Sequence, residues 1–195
     1  APWTPEVAPA TTDLIVAVGA DLPPVLEGSN PVRERVAAMA ELAQKDFFAE
    51  HCYPSDRELL MGWAKRAAEL DEMVMVVPLH YDTRLLGFEC DRYYPELIDH
   101  GVDLRGYSRA IVHSKIAVAD GWYVSTGSYN LTLRSARADL EMQFFIQCPR
   151  YGSLVRELIR KDLALCEKVR PTALDRFRSR MSIPFADAFF RFFFF

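Results

Sequence analysis

No run of about twenty consecutive apolar residues occurs in this chain of 195 residues, so an ordinary transmembrane helix is not expected. The start carries no signal-peptide core, and a first residue of Ala in place of Met reads as a chain cut from a longer one. Cysteine is sparse. Cys52, Cys90, Cys148 and Cys166 stand far apart, in neither a metal-ligand nor a small secreted-domain spacing, and read as reduced, mostly buried thiols of a compartment that faces the cytosol. A basic excess is missing too: 23 Lys and Arg stand against 27 Asp and Glu, a formal net charge of −4. That balance argues against a surface that tracks nucleic acid along its whole face, while a local basic cleft stays open.

What is present suffices for one sizeable core, since half of the residues are apolar. Residues 1–12, with three prolines among small residues, read as a linker. Residues 13–170 read as one domain of alternating strands and helices. Leu14 to Val18 is a short strand. Asn30-Pro31 supplies an N-cap and a first helical residue, followed by a helix over Val32 to Lys45. Asp46 to Tyr53 is a strand. Ser55-x-x-Glu58 reads as a capping box ahead of a helix whose apolar stripe is Leu59, Leu60, Trp63, Ala67 and Leu70. Met73 to Val77 is a strand covered on both faces. A helix over about Asp91 to His100, strands over Val102 to Tyr107 and Ala110 to Ala119, a hairpin, a strand over Leu140 to Gln147 and a helix from Tyr151 to about Val169 complete the order. The expected fold class is α/β, a mixed sheet sandwiched between helices.

The chemistry concentrates between Val112 and Glu141. His113 and Lys115 lie two apart in a strand-like segment, so their side chains share one face. An imidazole held there can attack phosphorus while the ammonium neutralises the phosphoryl oxygens, with no metal or cofactor required. Asp120-Gly121 closes a turn, and the next strand ends at Gly127-Ser128-Tyr129-Asn130. There a small residue lets backbone approach a ligand, and Ser128 and Asn130 are candidate phosphate donors. Glu141, near the start of the next strand, is the candidate to hold the imidazole tautomer by accepting from its Nδ1–H. His51-Cys52 lacks the partners of a metal site and reads as buried structure. Arg134-Ser135 either touches substrate or caps the loop after the Gly-Ser turn.

The pattern His-x-Lys, four residues, Asp, six residues, Gly-Ser-x-Asn resembles the signature of the phospholipase D superfamily. Here it reads His113-Ser114-Lys115, Asp120 and Gly127-Ser128-Tyr129-Asn130. Arg134-Ser135, Glu141, the segment around FFAEHCYPSD and the strand MVMVVP resemble the second catalytic half of its cardiolipin-synthase branch. Asp139 departs from that branch, which usually carries Asn. The resemblance implies a phosphohistidine on His113, with Lys115 and Asn130 on the phosphoryl oxygens and Asp120 in the catalytic set. Beside Gly121, however, Asp120 reads as a structural turn residue. It also implies a second histidine that protonates the leaving group, from the other half of a two-motif chain or from a homodimer mate. His51, His80 and His100 lack the surrounding motif and do not supply it.

The expected function is accordingly a phosphodiesterase or phosphatidyltransferase on phospholipid, peripheral at the cytoplasmic face of a membrane or in the cytoplasm. The alternatives are a metal-independent endonuclease acting as a homodimer and a non-catalytic phosphate-binding domain. Residues 171–195 differ in character, mixing arginines with a terminal cluster of phenylalanines (Phe189, Phe190 and Phe192 to Phe195) that is costly to leave in water. Three destinations compete for it: this domain's own core, a partner subunit and a membrane interface.

Overall fold

A computed structural model describes residues 15–20, 30–82 and 84–193. The linker and Leu14 lie outside them. In chain order the elements are β1 (Ile15–Ala20), α1 (Pro31–Leu42), β2 (Asp46–His51), α2 (Arg57–Arg66), β3 (Glu72–Pro78), α3 (Arg84–Asp91), α4 (Tyr94–Asp99) and β4 (Asp103–Tyr107). There follow β5 (Lys115–Ala119), β6 (Tyr123–Gly127), α5 (Leu133–Arg137), β7 (Met142–Gln147), α6 (Pro149–Leu163), β8 (Cys166–Lys168) and α7 (Ala173–Phe193). The strands form one eight-stranded sheet in the order β1-β7-β6-β5-β2-β3-β4-β8. β2, β3 and β4 run parallel and the other pairings are antiparallel, so the sheet is mixed, as the alternation of elements predicts.

Alternate strand residues feed two cores, because successive side chains leave a strand on opposite faces. Phe47, Ala49, Met73, Met75, Ala117, Ala119 and Phe145 meet Val36, Met39, Leu60, Trp63 and Leu97 from α1, α2 and α4. Phe48, Val74, Val76, Val118 and Val124 meet Val155 and Ile159 of α6 on the other side. Helices are thus tied to both faces, and Arg156–Asp46 (2.7 Å) and Arg160–Glu72 (2.9 Å) add ion pairs between α6 and the strands.

Several boundaries differ from the sequence reading. Asn30 caps α1 as expected, accepting from Arg33 N at 2.7 Å. The cap of α2 is Asp56 instead of Ser55: its carboxylate accepts from Leu59 N (3.2 Å) and from Arg33 Nε (2.7 Å), a charged partner brought in by α1. Ser55 Oγ is buried with no hydrogen-bond partner. The helix expected over Asp91 to His100 is α4, which starts only at Tyr94 because Pro95 lacks an N–H and suits a first turn, and α3 upstream of it was not expected. The strand expected from Ala110 begins at Lys115. Residues 108–114 are spent carrying the chain from β4 past β3 and β2 to the far side of β2. The last core helix stops at Leu163, and Cys166–Lys168 returns as β8 beside β4. All four cysteines are free thiols, with Cys52 and Cys90 buried.

Candidate active site

The hairpin β5–β6 builds the site. Asp120 and Gly121 have φ of 51° and 66°, and Trp122 N donates to Ala119 O at 3.1 Å, so the turn uses the two left-handed positions that Asp-Gly accepts at low cost. The Asp120 carboxylate accepts from three backbone amides in the α1–β2 connection: Gln44 N (2.9 Å), Lys45 N (2.8 Å) and Asp46 N (3.1 Å). It pins the hairpin tip to the start of β2. The structure therefore corrects the place of Asp120 in the catalytic set: its carboxylate is committed to backbone at the end of the hairpin remote from Gly127, and His113 precedes the opposite end of β5.

At the open end of the hairpin a shallow cleft of about 530 Å³ is lined by His113, Lys115, Gly127, Ser128, Asn130, Asp139, Leu140 and Glu141. Five residues singled out from the sequence thus converge there: His113, Lys115, Ser128, Asn130 and Glu141. His113 is exposed in the extended segment just before β5, while Lys115, the first residue of the strand, is buried. Lys115 Nζ donates to His113 O at 3.0 Å and lies 3.4 Å from His113 Nδ1. Burial lowers the pKa of the ammonium, opposed by Cys52 and Glu141. The lysine is a poorly solvated cation one residue removed from an accessible imidazole.

Two assignments change on contact with the geometry. Glu141, expected on the imidazole, accepts instead from Ser128 Oγ at 2.5 Å, and Ser128 Oγ in turn accepts from Met142 N at 2.9 Å. Ser128 N donates to Met142 O at 2.9 Å. Both donors of Ser128 are therefore spent on the β7 side of the cleft, and the residue shapes the rim in place of donating to phosphate. Gly127 serves strand approach: a Cβ there would meet Met142 O at 2.2 Å. Asn130 keeps its expected role open, since its Oδ1 is buried with no hydrogen-bond partner. The residue as a whole lines the cleft. Arg134 pairs with Asp139 (3.0 Å), and Ser135 is buried, so this pair stabilises the loop beside the cleft.

Sequence reading missed Glu50 and Tyr53 as neighbours of the site, while His51 and Cys52 are buried as expected. β2 lies antiparallel to β5 with His51 opposite Lys115, and two residues beyond that pair the Tyr53 ring stands edge-on to His113, centroids 6.2 Å apart. Buried Glu50 accepts from Ser114 Oγ, and Cys52 N donates to Ser114 O (3.2 Å), so the residue between His113 and Lys115 is clamped to β2. Burial raises the Glu50 pKa. His51 is fully enclosed near Trp63, and burial, with the Lys115 charge behind it, lowers its imidazole to about 3. Only the strand order reveals these residues. No group of three or more His, Cys, Asp or Glu is gathered for a metal among the described residues.

The structure is thus an α/β domain whose His-x-Lys and Gly-Ser-x-Asn segments flank one cleft at the open end of a hairpin in the middle of a mixed sheet. The family model described as the phospholipase D-like domain of cardiolipin synthase matches residues 39–163, and the chain belongs to that family. A cardiolipin synthase of Geobacillus sp. (strain WCH70) is 25% identical over 144 residues, 73% of this chain and 28% of that protein. The probable cardiolipin synthase YwiE of Bacillus subtilis (strain 168) is 25% identical over 158 residues, 80% of this chain and 30% of the relative. The chain thus spans under a third of the curated relatives it matches. Among solved structures, the phospholipase D family member Nuc from Salmonella typhimurium superposes with a TM-score of 0.66 at 20% identity, covering 82% of this chain and all of Nuc. Phosphatidylserine synthase from Haemophilus influenzae Rd KW20 superposes with a TM-score of 0.61 at 12% identity, covering 92% of this chain and 48% of the other. These likenesses are in fold.

Proposed function

We propose that the domain cleaves or transfers phospholipid phosphodiesters through a covalent phosphohistidine on His113. The observation that carries this reading is the accessible His113 imidazole beside the buried Lys115 ammonium in one cleft. The imidazole nitrogen forms a bond to phosphorus as the ester P–O bond breaks, and the departing alkoxide takes a proton. Lys115 and the Asn130 amide neutralise charge on the equatorial oxygens. The oxygen of water or of an alcohol then bonds to phosphorus as the P–N bond breaks, passing its proton to the group that had protonated the leaving alkoxide and freeing His113.

The proton donor for the leaving group must come from outside this cleft. His113 is the one histidine among the residues that line it. A second His-x-Lys set, in a homodimer mate or another segment of a longer chain, completes the site.

Lipid is favoured over nucleic acid by the rim. Leu140, 66% exposed, lines the cleft, and Met142 and Phe144 continue an exposed apolar row along one face of β7. Asp139 and Glu141 line the same cleft; Asp139 is paired with Arg134, and the Glu141 carboxylate opposes a polyanion more than a single diester. The test is turnover of phosphatidylglycerol in mixed micelles against turnover of single-stranded DNA. Lipid turnover that vanishes in His113→Ala and resists chelator supports the proposal. DNA cleavage that falls steeply with salt, without lipid turnover, would support the endonuclease reading instead.

A further inference from the structure

One face of α7 seats it on the body. Ser179 Oγ donates to Arg92 O at 2.5 Å, Ile183 packs against the larger core, and Arg176 pairs with Asp99. The opposite face is bare: Leu174, Phe177 and Met181 are 53%, 62% and 58% exposed. Their spacing of three and four residues stacks them in one row along the helix, pointing away from Ser179. Arg178 and Arg180, both exposed, flank that row on its two sides. Between residues 170 and 184 four arginines (Arg170, Arg176, Arg178, Arg180) stand against the single acid Asp175, in a chain whose net charge is −4. The sequence repeats the apolar spacing at Phe185, Ala188 and Phe192 while the helical backbone continues to Phe193. Phe88, also exposed, lines together with Arg178 and Ser182 a cavity of about 340 Å³ between α7 and the α3–α4 corner.

We propose that α7 is an interfacial helix. It lays the Leu174–Phe177–Met181 row into the boundary between headgroups and acyl chains of an anionic bilayer, with Arg178 and Arg180 on lipid phosphates. Apolar side chains between two cationic edges match a surface that is charged at the top and oily beneath. A nucleic-acid backbone would leave the apolar row in water. No described helix is long and apolar enough to cross a membrane, so α7 lies along the surface. The inference stands on the helix alone and holds or fails independently of the His113 cleft.

The test is co-sedimentation of the full chain with vesicles of phosphatidylcholine alone and of phosphatidylcholine with an equal part of phosphatidylglycerol. The chain is expected on the mixed vesicles, about tenfold or more tightly than on the neutral ones. Phe177→Ser with Met181→Ser, and separately Arg178→Glu with Arg180→Glu, are each expected to lose about tenfold or more. Both pairs are on the surface, and an unchanged urea midpoint confirms that they fold. Absence of wild-type binding, or variants that bind like wild type, would overturn the proposal. So would a Phe177→Ser/Met181→Ser chain that changes from dimer to monomer without losing vesicle binding, because the face would then be a contact between copies.

Discussion

Lys115 is a cation whose burial leaves it short of solvent, and a phosphate supplies what water no longer does. Lys115→Met is expected to lower turnover about 10²- to 10³-fold, as measured in the micelle assay, with little change in stability because a desolvation cost disappears with the charge. Asp120 belongs to the frame. Asp120→Ala leaves three backbone amides without their charged acceptor and puts Ala at a φ of 51°. A loss of about 2–4 kcal/mol in urea unfolding is expected, with turnover retained below the new midpoint. His51 gives a pH signature. Burial holds its folded value at about 3, below the 6.5 of an exposed imidazole. Between those values the unfolded chain binds a proton that the folded chain refuses, so this group's stability is intact above about pH 6.5 and is lost as pH falls towards 3. Asp91, pushed up to about 6 by burial and Asp175, acts in the opposite direction over the same range, gaining stability as it protonates. Comparison with His51→Gln separates the two. Urea midpoints at about pH 7 and about pH 5 should show the wild type losing roughly 1–2 kcal/mol more than the variant. An equal loss in both would contradict the buried neutral imidazole.

Elements show where sequence reading succeeds. The β5–β6 turn was legible because Asp-Gly accepts left-handed backbone at both positions. The α1 cap was legible because Asn-Pro is a local signal. The α2 cap was not. Ser55 and Asp56 are adjacent, both suitable, and the choice is made by Arg33, which arrives from another helix. Ser55→Ala is expected to change stability by less than about 0.5 kcal/mol, whereas Asp56→Ala should cost about 2–3 kcal/mol by removing both of its bonds to Arg33, which keeps only the exposed Glu58, and by uncapping α2. Thermal melts of the two variants decide it. Likewise the strand thought to begin at Ala110 starts five residues later, because strand order is a long-range property and residues 108–114 have to cross two neighbours.

At the scale of the whole molecule, the sheet places β2 beside β5 and so brings Glu50, His51 and Tyr53 to the motif, which no local pattern announces. The motif itself identified His113, Lys115, Asn130 and Glu141 as cleft residues, since its spacing is set by one hairpin and the strand that follows it. The roles of Ser128 and Glu141 were less legible: their mutual hydrogen bond depends on how β7 lies against β6. On the proposed mechanism the cleft supplies one nucleophile and one ammonium, half of the machinery that a slow leaving group requires. A leaving group that needs no proton bypasses the missing half. The most direct measurement is therefore intact-mass and peptide mapping of the full chain after incubation with bis(p-nitrophenyl) phosphate, whose p-nitrophenolate departs unaided. A single phosphoryl adduct on His113, absent from His113→Ala and present in Asp120→Asn, is the predicted result. An adduct on another residue, or none in a folded wild-type chain, would contradict His113 as the nucleophile.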